Sequence, residues 1–204
     1  KFRSKFNLLI LSWNANGLET HSIELLNYLA TTLFPPDIIC IQETHFTPTK
    51  TFNIYGYSVT SKSREIKRGG GTAIYVKNSI IFEELETATQ IEATGIKIFN
   101  QDSTTTNIYS VYLSPSCAID VNYLKMYFNK KHSILVGDFN AKSTLWGSPG
   151  TDQRGKQIEE FIDQNNLITL NTGKGTRINK NGILSHLDLT ITTSNYGITG
   201  KWEV

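Results

Sequence analysis

Eight short, apolar, β-branched segments punctuate this 204-residue chain, and their order restricts the fold more than any other feature. They cover residues 6–11, 37–41, 72–76, 91–99, 107–113, 133–136, 167–170 and 187–192, and each is bounded by turn-forming residues, as strands are. Helical patterns are fewer. Ile23, Leu26, Leu29, Ala30 and Leu33 keep a helical stripe that Pro35-Pro36 ends. A second helix is expected over 122–129 and a third over 157–165, with Ile158, Phe161 and Ile162 on one face. The middle of the chain is a run of consecutive strands, with helical crossovers toward both ends. That order predicts an α/β fold of two packed sheets flanked by helices, rather than one doubly wound sheet. At 39% hydrophobic residues the chain suits one domain, residues 1–204, with a sizeable core.

Several function classes recede at once. No run approaches the roughly 18 apolar residues of a membrane span, and KFRSKFNLLILSWN turns polar at Ser12 without a signal-peptide pattern, so the expectation is a soluble, intracellular protein without a membrane partner. Cys40 and Cys117 lie far apart and predict no disulfide. A net charge of +2 does not by itself call for a polyanion, although residues 61–71, SKSREIKRGGG, form a basic, glycine-rich connection.

Chemistry gathers where strands end, because a loop leaving a rigid sheet holds a polar side chain in a fixed place. Asn14 follows LLILSW, Gln42 and Glu43 follow DIICI, Asp138 and Asn140 follow SILV, Tyr112 ends a strand before Pro115, and Asp188 lies in SHLDLTI. Singly, each has a plainer reading: turn residues, a surface charge, a strand aromatic. Together they make an all-oxygen donor set that suits a hard, hydrated cation such as Mg²⁺, with Mn²⁺ as a substitute, and no Cys/His cluster calls for zinc. Asp138 and Asn140, two residues apart, point to one side of an extended chain, where one can take a proton from water while the other holds that water. The chemistry this predicts is phosphodiester hydrolysis.

WNANGL, IQETHF, GGGTAIYV, VYLSP, GDFNAKSTLWGS and SHLDLTI occur in the order seen in the endonuclease/exonuclease/phosphatase superfamily. GDFNA followed by LWGS, DQRGK and EEF resembles the apurinic-type endonuclease domain of non-LTR (LINE-like) retrotransposons, over nearly the whole chain. The resemblance implies a four-layered α/β sandwich. It also implies a Mg²⁺-dependent enzyme that nicks double-stranded DNA in the nucleus for target-primed reverse transcription, by a reverse transcriptase domain of the same polyprotein. Carried over, Glu43 is the principal metal ligand with Asn14 beside it, Asp138 and Asn140 handle the nucleophile, and Tyr112 lies against the scissile phosphate. Asp188 would orient a histidine from a Ser-Asp-His motif that this sequence does not reach, so the domain is expected to lack its C-terminal end. His21, His45, His132 and His186 are read as structural or solvent-facing.

DNA contacts are expected from Arg64, Lys67 and Arg68 in the basic loop and from Lys142 and Trp146 near the catalytic turn, with core packing as the competing role of Trp146. The Asn181-Gly182 turn predicts a hairpin over 176–185. By resemblance it enters a DNA groove, offering Thr176, Arg177, Lys180 and Ser185. Two other functions stay open: a phosphomonoesterase or phospholipid hydrolase of the same superfamily, and a DNA-binding module without catalysis.

Overall fold

The computed structural model describes residues 8–64, 69–100, 102–129, 132–178, 182, 184–193 and 201–204. In chain order the elements are β1 (Ile10–Asn14), α1 (Leu18–Thr31), β2 (Ile38–Gln42), β3 (Tyr57–Lys62), β4 (Thr72–Lys77), β5 (Phe82–Leu85), β6 (Glu92–Phe99) and β7 (Thr105–Tyr112). Then follow α2 (Val121–Met126), β8 (Ser133–Asp138), a 3₁₀ turn (Thr144–Trp146), α3 (Gln153–Gln164), β9 (Leu167–Thr169), β10 (Arg177–Ile178), β11 (Leu184–Ser185) and β12 (Asp188–Thr193). A four-stranded sheet has the order β1-β2-β4-β3, a six-stranded sheet the order β5-β6-β7-β8-β12-β9, and β10-β11 form a separate hairpin. Both large sheets are mixed, since β1-β2 and β7-β8 pair in parallel while the other pairs are antiparallel.

Period-two alternation along the strands sorts the core into three layers. Ile38 and Cys40 of β2 and Ile74 and Val76 of β4 meet Ile96, Ile98, Ile108, Ile134 and Val136 between the two sheets. The residues between them on the same strands, Ile39, Ile41, Ala73 and Tyr75, face the other way and pack with Leu18 and Leu25 of α1. On the far side of the six-stranded sheet, Tyr109, Val111, Leu135, Leu189 and Ile191 pack with Leu124 of α2 and with Ile158, Phe161 and Ile162 of α3. The result is the helix, sheet, sheet, helix order of a four-layered α/β sandwich.

Some expectations need correction. The stripe assigned to α1 is not its buried face: Ile23 is 70% and Leu33 is 88% exposed, whereas Leu18 and Leu25 are buried and Leu29 packs partly beneath the helix. The helix carries two apolar stripes, and only contact with the sheet decides between them. β3 and β5 were not foreseen, because YSVTSK and FEEL hold few apolar residues. The first strand lies at Ile10–Asn14, later than expected, and residues 6–7 fall outside the described set. α2 stops at Met126 and α3 begins earlier, at Gln153, where the Asp152 carboxylate accepts the Gly155 N–H at 2.7 Å as an N-cap. Among the described residues no helix is long and apolar enough to cross a membrane.

Candidate active site

Strand register lays the site out. Glu92, Tyr112, Asp138 and Asp188 are direct cross-strand partners on β6, β7, β8 and β12, a row across four adjacent strands. Asn14, Gln42 and Thr72 make a corresponding row on β1, β2 and β4. Counting by twos from the apolar residues that fill the space between the sheets, all seven extend the two inner faces beyond the core. The candidate site is therefore the polar end of the cleft between the sheets. Hydrogen bonds fasten the sheets there: Gln42 Nε2 donates to Ser110 Oγ at 3.0 Å, Ser110 Oγ donates to the Ile41 carbonyl at 3.0 Å, and the Thr72 and Thr94 hydroxyls lie 2.8 Å apart.

Asn14 joins the rows. Its Nδ2 donates at 2.8 Å to Glu43 Oε1 and at 2.8 Å to Asp138 Oδ2. Two carboxylates held by one nitrogen cannot be farther apart than twice that distance, so residues 95 positions apart in sequence serve one small volume. Glu43 and Asn140 reach it through backbone turns in the left-handed region, φ +52° and +46°, which a glutamate adopts rarely. Asn140 is fixed from two directions: its backbone N–H donates to Asp138 Oδ1 at 2.9 Å and its Nδ2 to the Leu113 carbonyl at 3.2 Å. Gly137 allows β8 to run this close to β7, because a Cβ there would lie 1.9 Å from the Val111 carbonyl oxygen.

Burial sets the electrostatics. Asp138 is 2% exposed, and loss of water, with Asp188 and Glu43 nearby, pushes its carboxyl up to about 6, while hydrogen bonds from Asn140 and Asn14 pull the other way. Burial also raises Asp188, offset by the Thr176 hydroxyl and Arg177. The buried Tyr112 phenol is raised by desolvation first and then by the nearby carboxylates of Glu43 and Asp138. Oxygen donors of this kind suit a hard divalent cation, which would relieve the repulsion between neighbouring carboxylates. Among the described residues no group of three or more His, Cys, Asp or Glu could hold a metal. Glu43 is the carboxylate donor at hand; Asn14 turns its Nδ2 to the carboxylates while its Oδ1 accepts the Asn16 N–H at 3.1 Å, so the amide must turn over to offer its oxygen to a cation.

The structure thus brings Asn14, Glu43, Tyr112, Asp138, Asn140 and Asp188 together. The DNA-contact residues divide. Lys142 is exposed just after the Asp138–Asn140 turn, and Arg177 is exposed on the β10-β11 hairpin, where its charge acts on Asp188. Thr176 and Ser185 are engaged in the hairpin, the Ser185 carbonyl accepting the Thr176 N–H at 2.8 Å and the Thr176 hydroxyl at 3.4 Å. Arg64 is paired with Glu92. Lys67, Arg68 and Lys180 lie outside the described residues. Trp146 is a correction: it is fully buried and its Nε1 donates to the Ala141 carbonyl at 3.2 Å, so its ring packs in the core and has no face for DNA.

Sequence reasoning missed three residues. His45 is half-exposed, with Nε2 3.7 Å from Glu43 Oε2. Arg154, within the DQRGK motif, donates to the carbonyls of Asn140 at 2.8 Å, Phe139 at 3.1 Å and Leu113 at 3.2 Å, and so ties the loops after β7 and β8 together. Glu92 completes the four-strand row, yet no motif marks it.

The sandwich has the fold of endonuclease/exonuclease/phosphatase structures. Residues 106–204 match the Endonuclease-reverse transcriptase family model. The chain is 29% identical over 198 residues to the RNA-directed DNA polymerase from mobile element jockey of Drosophila melanogaster, covering 94% of this chain and 21% of that protein. It is 27% identical over 199 residues to a probable RNA-directed DNA polymerase from transposon X-element of the same organism, covering 94% and 22%. It therefore spans about a fifth of the length of these curated relatives. The endonuclease domain of TRAS1, a telomere-specific non-LTR retrotransposon, superposes with a TM-score of 0.75 at 24% identity, covering 91% of this chain and 84% of that one. The Neisseria 3′ phosphatase NExo, bound to a product DNA hairpin, has a TM-score of 0.68 at 16% identity, covering 94% and 88%. The chain is thus similar in sequence to a segment of mobile-element RNA-directed DNA polymerases and in fold to the endonuclease domain of a non-LTR retrotransposon.

Proposed function

We propose that the chain is a DNA endonuclease that uses Mg²⁺, or Mn²⁺ in its place, to nick one strand of double-stranded DNA. The nick leaves a 3′-hydroxyl for target-primed reverse transcription in the nucleus by the polymerase of the same polyprotein. The observation that supports it most is the Asn14 amide shared between Glu43 and Asp138. Glu43 and Asn14 would hold the cation, which would supply Lewis-acid stabilisation of charge on the phosphate. Asp138, with a carboxyl near 6, is matched to accepting a proton from water at neutral pH. Asn140, fixed by Asp138 and Leu113, orients that water. Tyr112 keeps its proton and donates a hydrogen bond to the phosphate, while Asp188 holds the far end of the acid row. Lys142 and the β10-β11 hairpin with Arg177 contact the flanking duplex.

The test is conversion of supercoiled plasmid to open circle in Mg²⁺, with the nicked ends mapped. Nicking that yields 3′-hydroxyl ends and is lost in Glu43→Gln supports the reading. Phosphate release from soluble monoesters without nicking would assign a phosphatase instead, and DNA binding without either activity a non-catalytic module.

A further inference from the structure

We propose that Glu92 is a positioning residue that clamps Arg64 and the glycines 69–71 beside Tyr112, so that the Arg64 guanidinium meets a DNA phosphate next to the one being cleaved. The inference rests on the endonuclease reading above and adds to it the role of a residue on the strand next to Tyr112.

Glu92 opens β6 directly opposite Tyr112, and both of its carboxylate oxygens are engaged. Oε1 accepts from Arg64 Nε at 3.0 Å and from Nη2 at 2.5 Å, while Oε2 accepts the Gly71 backbone N–H at 2.7 Å. The chain passes too tightly for a side chain: a Cβ on Gly70, at φ +66°, would lie 2.3 Å from Glu92 Oε2 and 2.5 Å from Arg64 Cζ. The same glycines bind the segment that follows Glu43, as the Gly70 carbonyl accepts the His45 N–H at 2.9 Å and the Gly71 carbonyl accepts the Thr44 N–H at 3.2 Å. One carboxylate thus links the acid row, the glycine loop and the metal-ligand turn.

An unpaired carboxylate one strand away from Tyr112 would repel a phosphodiester. Paired with Arg64, it instead aims a cation. The guanidinium sits 5.9 Å from the Tyr112 ring centroid, and two of the five N–H donors of such a group face Glu92, leaving the rest for an anion. Arg64 and Glu92 keep 23% and 24% side-chain exposure, enough for a phosphate to reach the guanidinium.

The experiment compares nicking kinetics of the wild-type chain, Glu92→Gln, Glu92→Asp, Arg64→Ala, Arg64→Lys and the Arg64→Ala/Glu92→Gln pair, with DNA affinity read in parallel by fluorescence anisotropy on a labelled duplex. Loss of one positioned phosphate contact raises KM by about five- to tenfold in Glu92→Gln, with kcat within about twofold. Glu92→Gln has no further effect once Arg64 is alanine, Glu92→Asp recovers part of the loss, and Arg64→Lys, which keeps the charge without the fork, behaves like Glu92→Gln. Effects that multiply in the double variant, a fall in kcat alone, or an unchanged KM in Arg64→Lys would each overturn the clamp while leaving the endonuclease intact. A wild-type chain that binds duplex but never nicks it refutes the endonuclease reading, and the same cycle read in affinity then decides the clamp.

Discussion

Asp138→Asn separates catalysis from stability, because the two respond with opposite signs. The Asp138 carboxyl lies near 6 in the folded protein because the ionised form is starved of water. A group whose proton affinity rises on folding stabilises the fold while protonated and loses that contribution as pH climbs from the unfolded value through the folded one. The window here runs from about pH 4 to about pH 6, and the gap of about two pH units is worth about 3 kcal/mol at about 1.36 kcal/mol per unit. An asparagine carries no charge to bury, but it cannot accept hydrogen bonds from both Asn14 and Asn140 as the carboxylate does. Losing one of those bonds offsets about 1–2 kcal/mol. The expected net result is a variant about 1–2 kcal/mol more stable than wild type at pH 8, with the advantage absent or reversed at pH 4. Urea unfolding at the two pH values in the presence of EDTA measures it, and added Mg²⁺ should shrink the difference by stabilising the wild-type carboxylate. Nicking by the same variant should fall by about a hundredfold or more, since no side chain remains to accept the proton. A stability difference that is the same at pH 4 and pH 8 would show that Asp138 is not a desolvated acid, and the argument for its role as a base would go with it.

Trp146→Ala should destabilise the chain by about 3–5 kcal/mol in denaturant titration, while Trp146→Phe, which loses chiefly the bond to Ala141, should cost about 1–2 kcal/mol and leave DNA affinity unchanged. Arg154→Lys should lower kcat by about tenfold or more with KM nearly constant, because a lysine cannot span the carbonyls of Asn140, Phe139 and Leu113 together; single-turnover nicking is the check. Arg177→Ala should redistribute nick positions on random-sequence plasmid more than it lowers total nicking, and superimposable cleavage maps would rule out a part in target choice.

Much of the architecture was legible because burial of both strand faces leaves a dense β-branched signal, as in IICIQ and TAIYV, and the polar residue that ends each run is hard to miss. The convergence of Asn14, Glu43, Tyr112, Asp138, Asn140 and Asp188 was readable for that reason. Edge strands gave no such signal: β5 carries one partly packed apolar residue and one exposed glutamate on each face, Phe82 with Glu84 and Leu85 with Glu83. Which stripe of α1 is buried could not be read, since Ile23, Leu26 and Leu33 are as apolar as Leu18 and Leu25, and only the sheet beneath distinguishes them. Glu92 escaped notice because a charged residue at the start of a strand looks like solvent exposure; its meaning comes from the strand beside it. Arg154 escaped because its partners are backbone carbonyls, which no side-chain pattern announces.

The four-strand row has a further consequence. Neighbouring strands lie about 4.8 Å apart whatever their side chains, so the intervals between Glu92, Tyr112, Asp138 and Asp188 are dictated by peptide hydrogen bonding and not by local packing. Evolution can rewrite the loops, the helices and most of the interior without disturbing those intervals. A slip of a single residue in any one of the four strands, by contrast, would turn that strand's acid or phenol to the opposite face and silence the domain at a stroke. Chains that keep this four-strand row should therefore tolerate large drift in sequence alongside almost none in pairing.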